Sequence, residues 1–436
     1  MPTGFHLLIA AQFASALADN ALLIVIIARL QELNLPGWWA PMLKFGFTVS
    51  YVLLAPFVGP LADAFPKARL MAWMNGVKLL AVGGLAWGVH PFAAFALVGF
   101  GAAAYAPAKY GLVTELVGPD RLVRANGWLE VSVVCAALFG TVLGGLLVSP
   151  WLLSQGAYAE LRTALSHMGW FSASGLGVSI MILMTVYALA GLLNLGVPNS
   201  GARYPASGIH PVALSRDFWR ANRKLWADAD GGLSLAVTTL FWGVGATLQL
   251  AVLRWAADAL QLPLSQSAYL QAAVAVGVIA GAAAAGRWVP LHAAKRMLVF
   301  GVLLGLFIPA IASTQSLVWA IPLLVLVGAV GGLMVVPLNA LLQHRGYTLL
   351  SAGRSIAVQG FNENASVLLM LAGYAALLAL DVPIVALMWG FGLAIALAMG
   401  FLMGREARRA RKGINSTQSM PAKASELQRS LGATKH

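Results

Sequence analysis

FHLLIAAQFASALADNALLIVIIARL, residues 5–30, is an apolar run longer than the ~18 residues needed to span a hydrocarbon core. Near its middle stand one acid, Asp19, and its neighbour Asn20. The run lacks a basic stretch ahead of it and continues to Ile27, so it reads as a first membrane helix and not as a cleavable signal. Runs of the same kind recur along the chain. They predict further helices over 42–62, 70–89, 92–112, 124–148, 178–197, 232–256, 268–288, 297–313, 318–341, 355–379 and 382–403. On this reading the chain is an all-α polytopic membrane protein of about 12 transmembrane helices.

Composition agrees. Of 436 residues 60% are hydrophobic and only 10% charged, against about 25% charged in a soluble domain. Most of the surface therefore does not face water. The net charge of +13 does not imply nucleic acid, because the basic residues sit in short connections between apolar runs, where anionic membrane lipid is the expected partner. Cys135 is the only cysteine and lies in an apolar run, so no intrachain disulfide forms and a buried, inert thiol is expected.

The side on which Lys and Arg fall sets the topology. The second, fourth, sixth, eighth and tenth connections and the C-terminal tail together hold 22 of the 28. An even helix count then places both termini in the cytoplasm. Arg29, Lys44 and Arg254 sit at helix ends and read as snorkelling cations. The longest connection, 199–231, carries Arg203, Arg216, Arg220, Arg223 and Lys224. It separates an N-terminal six-helix bundle (1–198) from a C-terminal one (232–404). Residues 405–436, basic and without apolar periodicity, read as a disordered cytoplasmic tail. The outer connection 149–177 has two Trp and room for a short interfacial helix.

Two six-helix halves joined by a long basic loop resemble the layout of the major facilitator superfamily fold. The stretch from Gly59 to Arg69 resembles that superfamily's motif between the second and third helices: a glycine, then Asp63, then Lys67 and Arg69. Its physical logic is gating. Asp63 pairs with a helix terminus or a base of a neighbouring helix and holds the cytoplasmic side closed, with Lys67 and Arg69 as partners. A plain solvated turn is the alternative. A weaker copy, Gly281 and Arg287 followed by Lys295 and Arg296, closes the eighth helix and lacks the acid.

Ionisable groups within the bilayer each cost roughly 2.5–3.5 kcal/mol on insertion scales if unpaired. Gln12, Ser15 and Asp19 share one face of the first helix, and Asn75 and Lys78 one face of the third. Tyr105 and Lys109 are a turn apart on the fourth, beside Pro107. Gln359, Asn362 and Glu363 cluster on the eleventh, and Glu130 lies in the fifth. These groups are either interhelical contacts, each acid met by a base, or the lining of a polar path. Asp19 and Glu363, with their runs of polar neighbours, favour the path. Gly140 and Gly144 form a GxxxG step for close helix packing. No His-x4-Asp acyltransferase motif, phosphate loop or metal-like His/Cys cluster occurs, so no enzyme, no cofactor and no metal site are expected.

Several stretches, taken together, resemble the bacterial lysophospholipid transporter family. They are AQFASALADNALL (11–23), YVLLAPFVGPLADAF (51–65), GAAAYAPAKYGLVTEL (101–116), RANGWLE (124–130), TLFWGVGATLQ (239–249), VVPLNALLQHRG (335–346) and AVQGFNENASVLLML (357–371). The likeness spans most of residues 5–403. It implies inward flipping of lysophosphatidylethanolamine and lysophosphatidylglycerol across a bacterial inner membrane. Re-acylation would then fall to a separate acyltransferase/acyl-carrier-protein synthetase. It implies a substrate path through Asp19, Asn20, Lys109 and Glu363, and an Arg is expected in the family where this chain has Gln249; Lys78 and Gln249 can line the same interior. Two other functions compete: a proton-coupled transporter of another small amphiphile or drug, and a membrane-embedded lipid enzyme, for which no motif is visible.

A reporter active only outside the cytoplasm is expected to be silent when fused to either end of the chain. Activity at either end would overturn the charge-based topology.

Overall fold

The computed structural model describes residues 3–36, 39–167, 175–202, 204, 210–262 and 264–432, with backbone alone at 3, 40–41, 264–268 and 410–432. Arg203 and residues 168–174 of the outer connection lie outside these. The first half comprises α1 (Thr3–Glu32), α2 (Trp39–Ala64), α3 (Lys67–Gly84), α4 (Pro91–Leu116), α5 (Pro119–Leu147), the short α6 (Pro150–Leu153) and α7 (Gly156–His167), and α8 (Gly177–Leu195). α9 (Pro211–Ala227) lies in the central connection. The second half is α10 (Ala229–Leu260), α11 (Leu264–Trp288), α12 (Leu298–Ala312), α13 (Leu317–Leu349), α14 (Ala352–Ala379) and α15 (Ile384–Gly432). Among the described residues, 12 helices are long and apolar enough to cross a membrane. α6, α7 and α9 are not among them. The even number brings both chain ends to one face, here the termini face.

Several helices outrun the apolar stretch that announces them. α13 continues to Leu349 and α14 begins at Ala352, because hydropathy marks only the part of a helix that meets hydrocarbon. α10 begins at Ala229, three residues ahead of the expected 232. Asp228 accepts the N–H groups of Asp230 (3.2 Å) and Gly231 (2.7 Å) and so caps it. Arg345 of α13 binds both oxygens of the same carboxylate, at 3.1 and 2.6 Å. That guanidinium holds Asp228 below the usual carboxylate range. The tail differs more. It was expected to be disordered from 405, yet α15 continues as helix to Gly432. The Ala, Arg, Lys, Glu and Gln of this segment are good helix formers. The apolar repeat that would dock such a helix on the rest is missing.

The cores show where the halves meet. One cluster belongs to the second half, from Leu233 to Met399. Another belongs to the first half on the face away from the termini and includes Ala18, Val25, Leu43, Phe95 and Tyr187. A third, on the termini face, is shared: Leu8, Val58, Leu112 and Leu129 pack with Ala282, Ala285, Val335 and Ala357. The halves are joined near the termini and separate toward the opposite face.

Within each half, glycine sets the closest helix contacts. A Cβ at Gly140 or Gly144 would meet the carbonyls of Leu17 and Ala21 at 2.6 and 2.7 Å, so α5 lies directly on α1. On the other side, Gly277, Gly281, Gly328 and Gly332 bring the α11 and α13 backbones together. A Cβ at Gly281 would fall on the carbonyl of Ala329. Gly281→Leu is expected to destabilise the detergent-solubilised protein by about 1–3 kcal/mol, read as a lowered unfolding midpoint. Gly400→Leu, at a glycine with nothing within 4 Å of its Cβ, is the control and should leave the midpoint unchanged.

Candidate functional site

A cavity of about 450 Å³ lies between the halves. Its floor is formed by Val58, Ile356 and Ala357 near the termini face, and its walls rise to Lys44 and Phe95, at the far ends of α2 and α4. It therefore opens away from the termini. Asp19, Asn20, Tyr51, Lys109 and Tyr110 come from the first half; Trp242, Gln359, Glu363 and Asn364 come from the second.

Asp19 is neutralised from behind. Lys78 of α3, 1% exposed, donates to both carboxylate oxygens at 2.9 and 2.7 Å and to Ser15 at 3.1 Å. Tyr187 of α8 donates to Asp19 at 2.8 Å, and Ser15 donates to Asn75 at 2.7 Å. Lys78 is thus the counter-ion of a lining residue and does not itself line the cavity. This is the interhelical pairing that the sequence left open, and it ties α1, α3 and α8 together.

Lys109 is set differently. It is buried, donates to Gln12 at 3.3 Å and lies 4.2 Å from the centre of the Tyr110 ring. No carboxylate among the described residues forms an ion pair with it. Glu363, on the opposite wall, accepts from Gln359 at 2.8 Å and has no ion-pair partner among the described residues. The cavity thus has on its two walls a cation and an acid, neither held in an ion pair among the described residues. A second such cation, Lys44, had been read as a snorkelling interface residue; the structure places it in the wall near the open end. Arg29 also departs from that reading, being buried and 2.7 Å from Glu32, whereas Arg254 is exposed beside Asp258 at 3.4 Å. Gln249 lies outside the lining. It follows Trp242 by two turns on the same face of α10 and is exposed, with its carbonyl accepting from Gln271.

The floor is sealed by polar contacts across the halves. Asp63, at the end of α2, accepts from Ser351 at 2.5 Å and from the N–H of Gly353 at 2.9 Å, at the start of α14. A carboxylate at a helix N-terminus meets both free N–H groups and the positive end of the helix dipole. Lys67 stands 3.9 Å from Asp63 and 2.6 Å from Glu115, and Glu115 also accepts from Ser200 and Tyr204. Arg69 is exposed on α3 and takes no part in this cluster. Nearer the cavity, Asn126 of α5 and Gln343 of α13 exchange hydrogen bonds at 2.9 and 2.8 Å. Asn339 donates to Asn126 at 3.4 Å, and Gln359 donates to Asn339 at 2.6 Å and to Glu363. This amide chain joins the floor to the cavity acid. Sequence reading passed over Asn126, Asn339 and Gln343; their only signal was an amide in an otherwise apolar helix.

Asp19→Ala leaves the Lys78 ammonium buried and unpaired, and is expected to destabilise the protein by on the order of 3 kcal/mol. Asp19→Ala combined with Lys78→Met should recover much of that loss in unfolding midpoint. Additive losses would mean that the two do not act as a pair.

Comparison with known proteins places this geometry. The profile of the Major Facilitator Superfamily matches residues 8–362. The "Lysophospholipid transporter LplT" of Klebsiella pneumoniae (strain 342) is 40% identical over 400 residues, covering 92% of this chain and 95% of the relative. That of Yersinia enterocolitica serotype O:8 / biotype 1B is 40% identical over 384 residues, covering 88% and 89%. Among solved structures, a bacterial homologue of the iron transporter ferroportin in its outward-facing state superposes with TM-score 0.69 at 16% identity, covering 93% of this chain and 100% of the other. The transporter FucP in the outward conformation superposes with TM-score 0.65, also at 16% identity, covering 92% and 98%. At that identity the structures speak for the fold alone.

Proposed function

The chain belongs to the Major Facilitator Superfamily and, within it, to the lysophospholipid transporter family, and on that premise we propose how it moves its substrate. The protein takes lysophosphatidylethanolamine and lysophosphatidylglycerol from the outer leaflet of a bacterial inner membrane and releases them into the inner leaflet by alternating access. The termini face is cytoplasmic, so the cavity is open to the outside in this state. A separate acyltransferase/acyl-carrier-protein synthetase then restores the missing chain.

The observation that carries the mechanism is the unpaired Lys109 facing the unpaired Glu363 across one cavity. A lysolipid headgroup is a phosphate with an ammonium or a glycerol attached. Lys109 meets the phosphate; Glu363 meets the ethanolamine ammonium or accepts from the glycerol hydroxyls. Lys44, nearer the open end, meets the phosphate first. Asn20 and Gln359 supply neutral hydrogen bonds along the wall. Asp19, held by Lys78 and Tyr187, shapes the wall and adds no net charge to it. The single acyl tail gains about 0.8 kcal/mol per methylene by remaining in apolar surroundings, so it stays between the separated helices of the two halves while the head crosses. A change of state needs the Asp63 contacts to α14 and the Asn126–Gln343 bonds to break, with Lys67 holding Asp63 on its own half.

The proposal is tested with purified protein in liposomes and matched fluorescent mono- and diacyl phosphatidylethanolamine. The expected result is a protein-dependent inward rate for the one-chain lipid at least about tenfold above that of the two-chain lipid, since a second tail widens the opening required. Lys109→Ala and Glu363→Ala should each reduce the one-chain rate by a similar factor at equal protein level. Equal rates for the two lipids would make the protein a general scramblase, and near-normal rates in both variants would remove the charged pair from the mechanism.

A further inference from the structure

α9 has a place in the fold that the transport cycle described above does not use. Its residues Phe218, Ala221 and Leu225, at i, i+3 and i+7, form one buried face. They pack on Ala55 of α2, Leu235 of α10, Leu342 of α13 and Val358 of α14, so one short helix touches both halves. Polar bonds hold it there. Asn362 of α14 donates to Asn222 at 2.8 Å and accepts from the indole of Trp226 at 3.1 Å, and Lys224 donates to the carbonyl of Leu349 at 2.7 Å.

These contacts fix its height. Asn362 lies ten residues past Ala352, the start of α14, and Ala55 lies nine residues before Ala64, the end of α2. At 1.5 Å per residue, both points are about 14 Å inside the ends of membrane-crossing helices. A helix held at that height runs along the level of lipid headgroups and does not hang free in water.

The opposite face matches that level. Arg216, Arg220, Arg223 and Val212 occupy it, and Trp219 and Trp226 flank it on the α14 side, where Trp219 packs edge-on against Phe361 and Trp226 bonds Asn362; all six are exposed. Trp219 is 55% and Val212 61% exposed. Both indoles have a partner on α14, yet Trp219 and Val212 leave more than half of their surface uncovered, which a face turned to water has no reason to do. A face turned to hydrocarbon would not carry three guanidinium groups. Arg interleaved with Trp is the composition of a helix lying in the headgroup plane. Four cations on α9 stand against one carboxylate, Asp217, which sits 3.2 Å from Arg220. Arg216 and Arg223 have no carboxylate partner among the described residues.

We infer that the exposed face of α9 is a binding surface for the headgroups of anionic phospholipids in the leaflet on the termini face. The guanidinium fork of Arg216 or Arg223 accommodates two oxygens of one phosphate, and the exposed part of the Trp219 indole sits against the glycerol region. Lipid bound there holds α9 across the junction of α2 and α14, the junction that the Asp63 contacts close. The inference does not depend on the identity of the transported molecule.

The test uses the full chain in detergent and native mass spectrometry during titration with phosphatidylglycerol or phosphatidylethanolamine of identical acyl chains. Wild type is expected to retain phosphatidylglycerol in preference. Each basic residue near an anionic surface strengthens binding about fivefold, so R216Q/R223Q should lose that preference by about tenfold or more. R216K/R223K should keep most of it. The substitutions are at exposed positions, and an unchanged unfolding midpoint checks that α9 is still docked. Equal retention of the two lipids by wild type would overturn the inference, as would an undiminished preference in R216Q/R223Q. Undiminished lipid preference together with lost binding of poly-glutamate would overturn it in favour of an acidic protein partner.

Discussion

The carboxylate of Asp63, at the end of a helix in the first half, accepts the N–H of Gly353 and the hydroxyl of Ser351 at the start of a helix in the second. Neither partner is well served alone. The first-turn N–H groups of α14 have no acceptor within their own helix, and a carboxylate among apolar helices needs donors. Joining them closes one face of the molecule. With that face closed, Gly59 of α2 lies where a Cβ would meet Ala357 at 2.9 Å, the shared core forms, and the remaining space between the halves can open only toward the other face. The cavity and its direction both follow from this contact.

Membrane helices have few means of holding polar groups, and this protein uses them in two ways. Lys78 with Asp19, and Lys67 with Glu115, are closed pairs with further hydrogen bonds from Tyr187, Ser200 and Tyr204 and one from Lys78 to Ser15. They satisfy one another and fix helix positions. Lys109 and Glu363 have neutral amide partners and no opposite charge within ion-pair distance among the described residues. A group left in that condition inside a protein is poised to receive a charged ligand. The division separates the residues that hold helices together from those that, in the proposed function, meet the headgroup.

The amide chain from Gln343 through Asn126 and Asn339 to Gln359 links this chemistry to the closed face. Asn126, Gln343 and Asn339 each both donate and accept, and an amide can exchange partners without leaving a bare charge in apolar surroundings. A charged latch in the same place would cost several kcal/mol per ion on opening. Under the proposed alternating access, neutral amides suit a contact that breaks in every cycle.

The sequence by itself determined the number of crossings, the sidedness of charge, the GxxxG contact of α5 and the polar faces of α1, α3 and α14. All of these follow from local periodicity and from the cost of polar groups in hydrocarbon, and both are readable along one strand of text. The family resemblance rested on residues in both halves. Periodicity says which face of a helix is polar; it does not say which neighbour that face meets. Only the tertiary structure decided that Lys78 is spoken for by Asp19 while Lys109 is not, that Lys44 belongs to the cavity and Arg69 does not belong to the gate, and that Gln249 stands above the site. The same holds for Asn126 and Gln343, 217 residues apart, whose pairing exists only because the halves close on each other. Helix ends also escaped the sequence, since hydropathy reports contact with lipid and the backbone continues for as long as its N–H groups find acceptors.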